Sequence, residues 1–123
     1  MSNLAPLSSQ SFRIRHMVQY NVTIKLEKGI EEEWLQYMTT SHIPDLLDTG
    51  LFVSGKIAQL IQSVDDEPTY SIQYLLPSMK EMHAYQAHYA PRLQKEHTDK
   101  FKDRFVAFRT LMHIISEFSS EEK

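Results

Sequence analysis

The sequence predicts a single α+β domain in the order strand, helix, strand, strand, helix, strand. Three observations carry this expectation. Residues 18–26 alternate apolar and polar without a break, two segments beginning after Gly29 and after Pro77 switch to helical spacing, and residues 51–63, 69–76 and 105–115 are rich in Val, Ile, Tyr, Phe and Leu. With 123 residues, of which 41% are hydrophobic and 24% charged, the chain suits one buried core and is too apolar to be disordered over most of its length.

The first strand places Val18, Tyr20, Val22, Ile24 and Leu26 on one face and Gln19, Asn21, Thr23 and Lys25 on the other. Gly29 breaks it. Ile30, Trp34, Met38 and His42 then recur every four residues, and Glu31, Glu32 and Glu33 occupy the first turn, where the helix dipole favours carboxylates. Pro44 disfavours helical geometry at Ile43, so a kink is expected there, with a short continuation through Leu46 and Leu47 to a stop at Gly50. Asp65-Asp66-Glu67-Pro68 is a turn signal between the second and third strands, which should pair as a hairpin. Ser78 and Glu81 form a capping box, and Met82, Tyr85, Tyr89 and Leu93 mark one face of the second helix, which Pro91 should kink or restart. Residues 1–16 are expected to be a flexible extension, residues 17–116 the domain and residues 117–123 a tail.

Composition removes several functional classes. A net charge of −3, with scattered acidic residues, gives no cationic surface for nucleic acid. No apolar run approaches the roughly 20 residues of a membrane helix. The absence of cysteine excludes disulfides, thiolate metal sites and a catalytic thiol, and points to a cytoplasmic location. None of the six histidines lies four residues from another on a helix, so no metal is expected, and since nothing in the local pattern demands an axial haem ligand from His97 or His42, no cofactor is expected either. There is no Gly-rich phosphate loop, no Ser-His-Asp ordering and no paired-carboxylate spacing.

Right-handed crossovers put both helices on one face of an antiparallel sheet, and the uncovered face becomes the informative one. By strand parity it should carry Asn21 and Thr23 from strand one, Phe52, Lys56 and Leu60 from strand two, Gln73 and Leu75 from strand three, and Arg109 and Leu111 from strand four. This face is mixed, but Phe52, Leu60, Leu75 and Leu111 together on it mark an interface, the alternative being a monomer with an open apolar patch. The expected cover is a second copy, two sheets packed through a two-fold axis around a semi-polar interior. Asn21, Lys56, Gln73 and Arg109 would meet in that space as a ligand-binding set, the two cations suiting a carboxylate or other anion. His42, at the kink, is the candidate catalytic residue for proton transfer at the rim. Each has a plainer reading: His42 bonded to a backbone carbonyl, Arg109 paired with a carboxylate, Lys56 lying along an edge strand. His88, Arg92 and His97 are expected on a solvated surface of the second helix.

Several separated motifs occur in a recognisable order: Tyr20-Asn21-Val22-Thr23-Ile24-Lys25, Glu33-Trp34-Leu35, His42-Ile43-Pro44-Asp45, Thr49-Gly50-Leu51-Phe52, Ala90-Pro91-Arg92-Leu93 with Glu96-His97, and Arg104-Phe105-Val106-Ala107-Phe108-Arg109-Thr110. In these the chain resembles the bacterial family known as domain of unknown function 4286. The resemblance implies a ferredoxin-like fold of the dimeric α+β barrel type, and it implies no activity. The wider superfamily includes cofactor-independent monooxygenases, haem-degrading enzymes, chlorite dismutase relatives and EthD-like proteins, among which fold alone does not choose. Two functions follow as expectations. One is a homodimer binding a small polar or anionic organic ligand between its sheets, with cofactor-independent chemistry. The other is a non-catalytic dimeric interaction protein with no ligand cavity.

Overall fold

Four strands pair antiparallel in the order β2-β3-β1-β4: β1 (Val18–Leu26), β2 (Ser54–Gln59), β3 (Thr69–Leu76) and β4 (Phe105–His113). The computed structural model describes residues 14–61 and 65–120. Residues 14–16 form a helical turn closed by the Met17 N–H donating to the Ile14 carbonyl at 2.9 Å. Most of the expected N-terminal extension, residues 1–13, lies outside the described residues, as do residues 62–64 of the expected second strand and 121–123 of the tail.

The alternation of β1 and β3 is carried into three dimensions without exception. Val18, Tyr20, Val22, Ile24 and Leu26 are buried, as are Tyr70, Ile72, Tyr74 and Leu76, and each intervening residue is half-buried. The buried set joins Trp34, Met38, Leu46, Met82, Tyr85, Leu93 and Phe101 from the helices in one core, so the helices cover one face of the sheet. Aromatic packing fills the middle: Tyr20 stacks on Tyr74 at 5.7 Å between centroids, and Phe52 meets Tyr74 at 5.3 Å and Tyr85 edge-on at 5.1 Å. Gly55 of β2 faces this cluster, where an added Cβ would lie 3.1 Å from the Tyr74 ring.

The first helical segment is three pieces rather than a kinked helix. Helix α1 (Glu31–Tyr37) passes into a π-turn (Met38–His42) and then into α2 (Ile43–Leu47), with Pro44 in the first turn of α2. Proline has no N–H to give to the carbonyl four residues back, and its ring collides with that carbonyl in a regular helix. The π-turn accommodates this: the Ile43 N–H reaches Met38 O, five residues back, and the Thr39 and Thr40 hydroxyls donate to the Leu35 and Gln36 carbonyls at 2.8 and 2.6 Å. Gly50, with φ of +79°, ends the segment in the left-handed conformation.

The second helical segment restarts where Pro91 predicts. Helix α3 (Met79–His88) ends at Tyr89 and α4 (Ala90–Lys100) begins with Pro91 in its first turn. The capping box is formed, with the Ser78 hydroxyl accepting from the Lys80 N–H and bonding the Glu81 carboxylate. Among the described residues no helix is long and apolar enough to cross a membrane.

Two expected orientations are corrected. Strand β2 spans residues 54–59 and excludes Phe52, which packs in the core beneath the helices instead of on the open face. In β4 the register pairs Arg109 with Val22 and Leu111 with Tyr20, so Arg109 and Leu111 lie on the helix-covered face, and Val106, Phe108, Thr110 and Met112 take the open one. Both parities of β4 are apolar apart from Arg109, His113 and Thr110, so alternation carries no information about which faces inward. Hydrogen bonding to β1 decides it.

Candidate functional site

Four polar side chains converge between the sheet and the helices. The π-turn delivers His42, the buried stripe of α4 delivers His97, β1 delivers Tyr20, and β4 delivers Arg109. These four, with Tyr85, Gln94 and an apolar wall that includes Val22, Ile24, Met38 and Leu46, line a cavity of about 30 Å³. Such a volume accommodates roughly two water molecules.

His97 is held in one tautomer. The Trp34 indole N–H donates to His97 Nε2 at 2.9 Å in the core, so Nε2 carries a lone pair and the proton of the neutral ring sits on Nδ1. Phe105 packs edge-on to the same ring at 4.6 Å, and His42 lies at 5.5 Å between centroids. The His42 Nδ1 is buried and has no hydrogen-bond partner among the described residues. Burial pulls the pKa of His42 from 6.5 down to about 4, with Glu96 opposing and the Arg109 charge assisting. Burial likewise brings His97 to about 4, helped by His42 and by Arg109. Both rings are therefore neutral at physiological pH.

The phenols are held in their protonated form. Burial raises the pKa of Tyr20, while Arg109 and a hydrogen bond from Gln94 favour its anion, and burial raises Tyr74 and Tyr85 as well. Among the described residues no carboxylate forms an ion pair with Arg109; the nearby acid Glu96 pairs with Arg92 at 3.2 Å. Arg109 is solvent-exposed as well as lining the cavity, so it marks the side where the cavity meets water.

The structure thus splits the residues expected to converge. His42 and Arg109 share the helix-side cavity. Asn21, Lys56 and Gln73 remain on the open sheet face, where Gln73 Nε2 donates to the Ser71 hydroxyl at 3.3 Å and that hydroxyl donates to Asn21 Oδ1 at 3.1 Å. Lys56 and Gln73 border a shallow groove of about 310 Å³ with Gln19, Ser54 and Glu117. His97, expected on a solvated surface, is 5% exposed. Its position was readable: Leu93, His97 and Phe101 continue the four-residue stripe of the second helix. Tyr20 was equally readable on the buried parity of β1, whereas nothing in the sequence brings β1, the π-turn and α4 to one point. Among the described residues no group of three or more His, Cys, Asp or Glu could hold a metal ion.

A four-stranded antiparallel sheet in this order, with helices on one face and a polar cavity beneath them, defines a ferredoxin-like α+β protein. The chain belongs to the family described as Domain of unknown function (DUF4286), whose model matches residues 17–115. Solved structures share the fold at low identity. A dimeric ferredoxin-like protein from an uncultured marine organism superposes with a TM-score of 0.69 and 6% identity, covering 83% of this chain and 98% of that one. A protein described as a putative antibiotic biosynthesis monooxygenase from Bacillus cereus gives 0.60 and 9%, covering 85% and 99%. SnoaB, a cofactor-independent oxygenase from Streptomyces nogalater, gives 0.59 and 10%, covering 88% and 96%. None of the curated proteins matches the chain.

Proposed function

We propose that this protein is a homodimer that binds a small polar organic molecule in the cavity between sheet and helices, and acts on it without a cofactor. One observation carries the reading: His42 Nδ1, buried and unpaired, at a cavity. An unsatisfied polar atom in the interior costs about 1–3 kcal/mol, so a guest at this cavity that bonds Nδ1 gains by doing so. As a neutral imidazole, His42 is in the state required to accept a proton from that guest, with His97 fixed beside it by Trp34. The fold shared with a cofactor-independent oxygenase supports chemistry of that class, and the likeness to a dimeric ferredoxin-like protein supports the homodimer.

The second reading, a non-catalytic dimeric interaction protein, is favoured by the small size of the cavity and by the hydrogen-bonded ladder Asn21-Ser71-Gln73 on the open face. Nitrogen-15 NMR of the histidine rings separates the two. Titration with a panel of small aliphatic and aromatic acids, amides and alcohols at millimolar concentration is expected to shift the His42 and His97 ring resonances and raise the melting temperature. A panel in which no compound moves either ring would overturn the binding reading.

A further inference from the structure

Resting on that binding reading, we infer that the guest is a monoanion with a short carboxylate-bearing skeleton, its carboxylate seated on Arg109 and its apolar part against Val22, Ile24 and Leu46. Four features of the site converge on this class. Arg109 is a guanidinium at the edge of a cavity with no carboxylate to pair with among the described residues, and no acid lines the cavity itself. The planar fork of arginine matches a carboxylate in two parallel hydrogen bonds. Among the described residues Arg109 is the one cation in the lining, so the charge provided balances a monoanion and leaves a phosphate dianion under-compensated. The cavity has the size of about two waters and its wall is largely apolar, so it admits only the short end of a guest whose carboxylate stays at the open edge with Arg109.

The remaining polar groups fit the same guest. His42 presents an unpaired Nδ1, and Gln94 and Tyr20 lie together beside Arg109, so an acid bearing a hydroxyl or carbonyl finds partners for both oxygens and substituent. Occupation leaves the histidines neutral. The titratable and charged groups facing His42 are Glu96 and His97 on α4, Arg109 on β4, Tyr37 on its own segment, and the protonated phenols of the cavity. Of these, Arg109 opposes an imidazolium on both histidines, and a carboxylate on Arg109 cancels that opposition. Burial, the largest cause, still holds both rings neutral between pH 5.5 and 8, so affinity for a carboxylate is flat over that range.

The test is isothermal titration calorimetry of the full chain with sodium lactate, against lactamide and inorganic phosphate, at pH 5.5 and pH 8 and in two buffers of different ionisation enthalpy. Lactate is expected to bind about tenfold or more tightly than lactamide, with the same affinity at both pH values and no dependence of the heat on buffer, and Arg109→Gln is expected to remove that preference while Arg109→Lys keeps part of it. Arg109 is exposed, so neither of its variants removes core packing. If lactamide binds as well as lactate, or Arg109→Gln leaves the preference intact, the carboxylate assignment fails while the cavity reading stands. Tighter binding of phosphate than of lactate also overturns it. If neither lactate nor any compound of the NMR panel moves the His42 and His97 rings, the binding reading itself fails.

Discussion

His97 cannot be an imidazolium while its Nε2 accepts the Trp34 indole proton, so one buried hydrogen bond and the desolvation of the ring act in the same direction. The consequence is a stability that depends on pH. A histidine with a pKa of 6.5 in the unfolded chain and about 4 in the folded one binds protons preferentially when unfolded, so stability is complete above pH 6.5 and falls as pH drops from 6.5 to about 4. Each of His42 and His97 contributes at most about 3 kcal/mol to that fall. Urea melts at pH 7, 6 and 5 are expected to show it, and a flat profile over that range would contradict two buried neutral histidines. Trp34→Phe removes the donor and some packing, at a cost of about 3 kcal/mol, and is expected to raise the His97 pKa, measured by NMR.

At the level of elements, the π-turn is what brings His42 to the cavity. In a regular α-helix residues spaced by four drift about 40° per step around the axis, so the row Ile30, Trp34, Met38, His42 would rotate steadily away from the core. A wider turn between Met38 and His42 takes back part of that drift, and Pro44 is the residue that requires it. The polar end of an amphipathic row is thereby kept beneath the sheet-facing side. The second helical segment is stabilised locally at its start instead. Ser78→Ala removes both the bond to the Lys80 N–H and the bond to Glu81, and is expected to cost roughly 1 kcal/mol in a denaturant melt without altering the histidine rings.

Across the whole molecule, the sheet has an apolar face beneath the helices and a mixed face that nothing among the described residues covers. Val106 and Phe108 on the open side of β4 are 68% and 62% exposed, and Met112 and Leu75 lie on the same side. Apolar surface of this kind on an open sheet marks an interface, and the proposed second copy is the cover that also shields the edge strand β4. Phe108→Glu places a charge in that interface without touching the core. It is expected to yield a folded monomer by light scattering where the unaltered protein gives a dimer; a monomer for both would remove the dimer from the proposed function.

The sequence by itself determined the elements and the core. The alternation of 18–26 and 69–76, the acidic first turn after Ile30, the Ser78–Glu81 box and the breaks at Pro44, Gly50 and Pro91 are local signals, and each is decided by sterics or hydrogen bonds within a few residues. Family membership was legible for the same reason, because several motifs keep their order along the chain. Which side of β4 faces inward was not legible. Phe105, Ala107 and Leu111 are as apolar as Val106, Phe108 and Met112, and the choice was made by hydrogen-bond register with a strand some 80 residues away in sequence. That choice carried Arg109 from the expected space between two sheets to the cavity beneath the helices. There it meets His42 and His97, two histidines 55 positions apart that only the packing of α4 against the π-turn brings to 5.5 Å. The candidate site is therefore a product of tertiary structure, since long-range register and helix packing, not local pattern, bring its charge and its neutral bases together.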